Sequence, residues 1–253
     1  MRVLVDVLRG VERSADLSEV GVVMPAFNEE GNVGQVVERA LAIGVGRVVC
    51  VDDASTDSTG AILDGYGSRP TVEVIHHEVN QGKQAGVRHG LIRALSYPDL
   101  RLFATLDADM QNDPADLPRL TAPLDRCDVV IAYRIRDDMP PPQQLSNALV
   151  NAVYRLVGGV DIHDVQAGYR VYTREVAEYI AAHLETSGGY TLEHTTLVLF
   201  GRLALERGRD FRIGEVPVRC PYGHTKSHIR VRDNLQLAKA SFTCALALAR
   251  MRR

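Results

Sequence analysis

The sequence predicts an α/β fold: a mostly parallel central sheet with helices on both faces. Three observations predict it. Near-continuous apolar runs of strand length alternate with stretches whose apolar residues recur at helical spacing. The alternation persists from Val20 to Leu106. Each strand run also ends in polar or acidic residues, and in a parallel sheet such ends share one edge, where ligands bind.

Taken in order, residues 1–18 are expected to be peripheral, with Val3, Leu4, Val7 and Leu8 spaced as a short helix. The first strand is Val20 to Met24, closed by Pro25, which has no N–H for a ladder. Val33, Val36, Val37, Ala40 and Leu41 form the stripe of an amphipathic helix ending near Gly44. Val48 to Val51 is a second strand, closed by Asp52 and Asp53, after which Ser55 or Thr56 is expected to cap a helix carrying Ile62 and Leu63. Thr71 to His76 is a third strand, and Asn80 to Lys83 opens a helix with Val87, Leu91 and Leu95. Leu102 to Leu106 is a fourth strand. Beyond it, Ala148 to Val157 and Thr196 to Leu205 are apolar helices.

Bulk properties narrow the function classes. With 253 residues, 45% hydrophobic and 24% charged, the composition is that of a soluble globular protein. A net charge of -3 argues against a general nucleic-acid binder. Cys50, Cys127, Cys220 and Cys244 have no metal-like spacing and are expected as reduced thiols, mostly in the core, of a cytoplasmic protein. No signal peptide opens the chain, and no apolar run approaches the roughly 20 residues that span a bilayer.

The fourth strand runs directly into Asp107 and Asp109. Two hard oxygen donors at a strand end suit Mg²⁺ or Mn²⁺. The plainer alternative is a polar turn, since Asn112-Asp113-Pro114 is good turn chemistry. Four separate loops, at Asn28/Glu29, Asp52/Asp53, Asn80/Lys83 and Asp107/Asp109, converge on one edge, which favours a ligand-binding rim. There is no G-x-x-x-x-G-K-[ST] phosphate loop and no G-x-G-x-x-G after the first strand.

Four segments at these strand ends, PAFNE from Pro25 to Glu29, VDDAS from Val51 to Ser55, NQGK from Asn80 to Lys83 and DADMQ from Asp107 to Gln111, together resemble family 2 glycosyltransferases of the GT-A (Rossmann-like) fold. The nearer resemblance is to dolichol- and polyprenyl-phosphate sugar transferases, whose central motif reads D-A-D-hydrophobic-Q. The second half fits through DVQAGYR (Asp164 to Arg170), EVPV (Glu215 to Val218) and YGHTK (Tyr222 to Lys226), so the likeness spans about residues 20–230. It implies a single domain, 1–253, with a donor half at 20–115, an acceptor half at 116–230 and an amphipathic C-terminal helix at 231–253.

The resemblance implies roles. Pro25, Phe27, Glu29, Asp52 and Asp53 would line the nucleoside pocket. Lys83 would approach the donor's ribose or phosphate, and Asp107 the sugar or ribose. Asp109 and Gln111 would hold the divalent metal, and Arg134, Ser146 and Arg219 the acceptor phosphate. The implied reaction is an inverting transfer of a hexose from GDP-mannose or a UDP-hexose to polyprenyl or dolichyl phosphate. Such an acceptor is already an anion and needs positioning rather than a base. A soluble hydroxyl acceptor, the alternative, needs a carboxylate base, with Asp164 and Glu193 as candidates. Each role has a plainer reading: Phe27 as packing, Lys83 as a solvated helix-start cation, Ser146 as a helix cap, Asp164 as a partner of Arg170, Glu193 as a helix-start carboxylate, and Arg134 and Arg219 as surface salt-bridge formers.

Two departures touch the acceptor side. The segment Asp137 to Gln144 is acidic and proline-rich where the family carries more basic residues, and the loop after Arg219 looks compressed. The stretch Asn234 to Arg253, apolar with arginines at its end, is expected either to dock on the core or to lie on the inner face of the membrane as a peripheral contact, with Ala148 to Val160 as a second such stretch.

Overall fold

The computed structural model describes residues 2–8, 16–186, 192–220 and 231–252, the last span with side chains from residue 238 onward. Among them eight strands form one sheet: β1 (Val3–Val7), β2 (Val20–Ala26), β3 (Arg47–Asp52), β4 (Val72–His76), β5 (Leu102–Thr105), β6 (Val129–Arg134), β7 (Arg170–Thr173) and β8 (Phe211–Val218). The order is β1-β8-β6-β7-β5-β2-β3-β4, and only β7 runs antiparallel to its neighbours. The helices are α1 (Val33–Ala42), α2 (Thr59–Asp64), α3 (Lys83–Leu95), α4 (Leu117–Thr121), α5 (Pro141–Val153), α6 (Arg174–His183), α7 (Leu192–Arg207) and α8 (Val231–Met251).

The central strands β2 and β3 are largely apolar because both of their faces are covered. Along β2 and β3, Val23 and Val49 enter one core with Val87 and Leu91 of α3, whereas Val22, Met24, Val48 and Cys50 enter the other with Val36 and Val37 of α1. This is the period-two alternation of a pleated strand buried on both sides. α3 lies close against the sheet because Gly90 faces it: a Cβ there would come within 2.4 Å of Val23. Cys50, Cys127 and Cys220 are buried as free thiols, and burial pushes the Cys50 thiol up to about 12.

Three local expectations are corrected. Val3 to Leu8 forms no helix: β1 is a strand parallel to β8, from Val3 opposite Phe211 to Val7 opposite Glu215. The alternation Val3, Val5, Val7 serves a strand as well as the spacing serves a helix, and the edge of β8 offers it backbone partners. β2 does not stop before Pro25 but continues to Ala26. Ala26 accepts a bond from the Asp53 amide, so Pro25 turns its nitrogen to the opposite side, beyond the last β2–β5 pair, Val23 with Thr105. Finally, the proline-rich segment Asp137 to Gln144 is not a loop throughout: Pro140 to Pro142 start α5, where a missing N–H costs nothing.

The parallel strands all end on one edge, and β7 begins there. That edge carries strained backbone: Asn28, Ala54 and Met110, on the loops after β2, β3 and β5, have φ of 56°, 58° and 62°.

Candidate active site

The loops after β2 and β3 are knitted together first. The Asn28 amide donates to Ser55 Oγ at 3.0 Å, Asn28 Oδ1 accepts from the Thr56 amide at 2.8 Å, and the Glu29 amide donates to Thr59 Oγ1 at 2.7 Å. Ser55 and Thr56 thus pair with the β2 loop instead of capping α2, whose N-cap is Ser58. Phe27, at 44% exposure, projects from this loop and is not a core residue.

Asp52 and Asp53 are both buried but do different things. Asp52 accepts from the Ser55 amide and lies 3.0 Å from His76 Nδ1. Burial raises its pKa, but the bonds from Ser55 and His76 prevail and leave the carboxyl below its ordinary value. Asp53 accepts from the Gln81 and Gly82 amides at 2.8 and 2.7 Å, with His77 Nδ1 2.7 Å away. Asp53 therefore folds the loop that leads into α3, and so sets the position of Lys83.

Lys83 is the centre of the site. Its Nζ lies 2.8 Å from Asp107 Oδ1 and 2.9 Å from Glu193 Oε1. Burial lowers the Lys83 pKa, but the two carboxylates outweigh it and hold the ammonium far above its usual range. Burial likewise raises Glu193, yet Lys83 and then Arg170 bring it down to about 2, so Glu193 is ionised. Glu193 lies in the first turn of α7, where the helix dipole also favours an anion.

Gly168 is packed against this cluster. A Cβ on it would stand 2.9 Å from Asp107 Oδ2, 3.0 Å from Lys83 Nζ and 3.4 Å from Glu193 Oε1. Any side chain there would enter the ion-paired group. Arg170, 1% exposed, donates to the carbonyls of Val165, Ala167 and Glu193 and to Thr196 Oγ1. It ties the turn at Gly168 to the start of α7. Neither role follows from reading residues singly; the glycine and arginine of the DVQAGYR segment were the available signal.

Asp109 and Gln111 sit on the turn beyond Asp107. Asp109 Oδ1 accepts from the Gln111 amide at 3.0 Å, and Cys220 Sγ is 4.0 Å from Gln111 Oε1. Burial, then the charge of Asp107, with a further contribution from Glu29, pushes the Asp109 carboxyl up to about 6. That crowding of negative charge is what a divalent cation offsets, so the residues fit one. Among the described residues no three His, Cys, Asp or Glu side chains gather as a metal cage. One carboxylate and one amide leave the remaining positions to water and phosphate oxygens, the habit of Mg²⁺.

In the second half of the chain the expected partners are rearranged. Asp164 pairs with Arg134, not with Arg170: Arg134 Nε and Nη2 lie 2.6 and 3.0 Å from its two oxygens. Asn147 Nδ2 donates to Asp164 Oδ1 at 2.6 Å, and Asp164 is fully buried. That geometry orients a guanidinium rather than removing a substrate proton. Arg219, 79% exposed, pairs with Asp138 at 2.9 Å. Ser146 lies inside α5, which begins at Pro141, so it caps nothing. His194 is buried, with Nδ1 2.9 Å from Tyr154 Oη. His224, His228 and the segment Tyr222 to Lys226 lie outside the described residues.

A parallel sheet whose strand ends gather Asp52, Lys83, Asp107 and Asp109 defines the GT-A class of glycosyltransferases. The chain belongs to glycosyl transferase family 2, whose model matches residues 21–180. It is 32% identical to polyprenol monophosphomannose synthase of Mycolicibacterium smegmatis, over 78% of this chain and 75% of that one. It is 30% identical to dodecaprenyl-phosphate galacturonate synthase of Rhizobium johnstonii, over 71% of this chain and 55% of that longer protein. Among solved structures, glucosyl-3-phosphoglycerate synthase of Mycobacterium tuberculosis with Mn²⁺, uridine diphosphate and phosphoglyceric acid superposes with a TM-score of 0.65. That match covers 89% of this chain and 78% of the other at 19% identity, a likeness of fold.

Proposed function

We propose that this glycosyltransferase moves a hexose from a nucleoside-diphosphate sugar, GDP-mannose or a UDP-hexose, to polyprenyl phosphate, with inversion and with a divalent cation bound. One observation carries the choice of acceptor: both candidate bases are held in ion pairs. Asp164 is bound to Arg134 and Glu193 to Lys83. A hydroxyl acceptor needs a free carboxylate to take its proton, whereas a phosphate monoester arrives already charged. The names of the two relatives support the same acceptor class.

Asp109 and Gln111 would hold the cation, which supplies charge neutralisation for the departing diphosphate. The remaining work falls to the chain's own residues. Asp52 accepts hydrogen bonds at the nucleoside end, with Pro25, Phe27 and Glu29 around it. Asp53 fixes the loop that presents Lys83. Lys83 holds Asp107 and Glu193 side by side where the sugar would lie, and negative charge there favours an oxocarbenium-like carbon. Arg134, oriented by Asp164, and Arg219 would receive the acceptor phosphate, with Ser146 on the neighbouring helix. A polyprenyl acceptor also requires a peripheral membrane contact, on the inner face if the protein is cytoplasmic. α8, which docks Ala245 and Leu248 on the core, is placed to contribute its outer side.

The test is partition of label. With radiolabelled donor, Mn²⁺ and polyprenyl phosphate, label should move to the organic phase. Label confined to water-soluble product would instead assign a soluble hydroxyl acceptor.

A further inference from the structure

α5 turns asparagines inward and leucines outward. Its polar residues face the protein: Asn147 donates to Asp164, and Asn151 donates to Asn147 Oδ1. Val150 reaches the core, but two leucines face out, Leu145 at 63% and Leu149 at 61% exposure. A surface helix in water shows the opposite arrangement. Leu156, in the π-helical turn that continues α5, is 79% exposed. α8 packs across both α5 and this turn, Gly158 coming close against Ala245, and adds Phe242 at 53% exposure.

We propose that the outward face of α5, with Leu156 and the adjoining side of α8, is the surface on which the protein seats on an anionic lipid bilayer. Charge selects this occupant. From Met139 to Val160 the only charged residue is Arg155, which is exposed. From Ala238 to Arg252 of α8 the charged residues are Lys239, Arg250 and Arg252, all exposed. Among the described residues of these two stretches the surface is apolar and carries cations without acids, as an interfacial element on anionic lipid does. Two copies meeting through it would oppose like charges. Position supports the same occupant. The inner side of α5 holds the Asp164–Arg134 pair, so its outer side sets the bilayer next to the acceptor half. In that respect the inference rests on the lipid-phosphate reading and deepens it: it assigns the seat to α5 rather than to the C-terminal helix alone.

The test is sedimentation of the full chain with vesicles of phosphatidylcholine alone and of phosphatidylcholine with phosphatidylglycerol. Wild type should partition to the anionic vesicles. The triple variant Leu145→Gln/Leu149→Gln/Leu156→Gln should lose that partitioning by at least about tenfold, because each leucine would otherwise leave water. Leu205→Gln, an exposed leucine on α7, should change nothing. All three sites are exposed, so circular dichroism and Tm should match wild type. Turnover of a water-soluble short-chain isoprenyl phosphate without vesicles should be equal in wild type and triple variant. If wild type fails to use that acceptor yet binds vesicles through these leucines, the acceptor reading falls and the surface stands. Equal vesicle binding by wild type and the triple variant overturns the surface, as does absence of binding by wild type. So does a wild-type dimer in sedimentation velocity that the triple variant dissolves.

Discussion

Lys83 and Glu193, 110 residues apart in sequence, are joined by a 2.9 Å contact that brings the start of α3 against the start of α7. The same ammonium holds Asp107, so one cation fastens the turn after β5 to the second half of the chain.

Replacing Lys83 with Met should leave two carboxylates facing each other without the ammonium between them, Arg170 remaining as a weaker counter-charge for Glu193. Removing one partner from such a half-buried group costs about 2–4 kcal/mol and lowers turnover by about a hundredfold or more. Urea unfolding and initial rates measure the two effects. The pH dependence has a definite sign. Glu193 is depressed to about 2, so its stabilisation is full above the ordinary glutamate range and disappears as pH falls toward 2. Lys83→Met should flatten that acid limb.

Gly168→Ala tests the packing of the same cluster. The new methyl group would press on Asp107 and Lys83, where a Cβ has 2.9 and 3.0 Å. Turnover should fall by about tenfold or more while Tm moves by only a few degrees, since a displaced catalytic group costs rate before it costs stability. Wild-type kinetics from this variant would show that the cluster yields freely.

His194 gives a separate acid limb. Burial depresses it to about 4, against an unfolded value near 6.5, so the unfolded chain takes up the proton first. Stability from this residue is complete above pH of about 6.5 and falls by roughly 3 kcal/mol as pH drops to about 4. His194→Gln should remove that part of the pH dependence, read as the difference between the two unfolding curves. Identical curves would exclude the assignment.

The rim at the strand ends was legible because its chemistry is local. Apolar runs of β2, β3 and β5 lead directly into Asn28, Asp52 and Asp107, and a parallel sheet brings such ends together without knowledge of distant contacts. Two strands were not legible. β1 has too few residues to separate alternation from helical spacing, and its formation depends on the free edge of β8. β7 is a four-residue strand whose antiparallel direction is set by its two neighbours. On the acceptor side the ion pairs resisted prediction for the same reason. Asp164 had two arginines within reach of a sequence reading, Arg134 and Arg170. Only the fold shows Arg170 turned inward to backbone carbonyls. Prolines 140 to 142 have two uses, stiff loop or helix start, and the polar inner face of α5 decides between them.

The most direct test of the central claim, transfer at the Asp107–Asp109 rim to a lipid phosphate, is one rate comparison. Initial transfer of radiolabelled hexose to polyprenyl phosphate in the presence of Mn²⁺ is measured for wild type and for Asp109→Ala, with folding of both checked by circular dichroism. The account predicts organic-phase label with wild type and a loss of at least about a hundredfold in the folded variant. Equal organic-phase transfer by both proteins would contradict it.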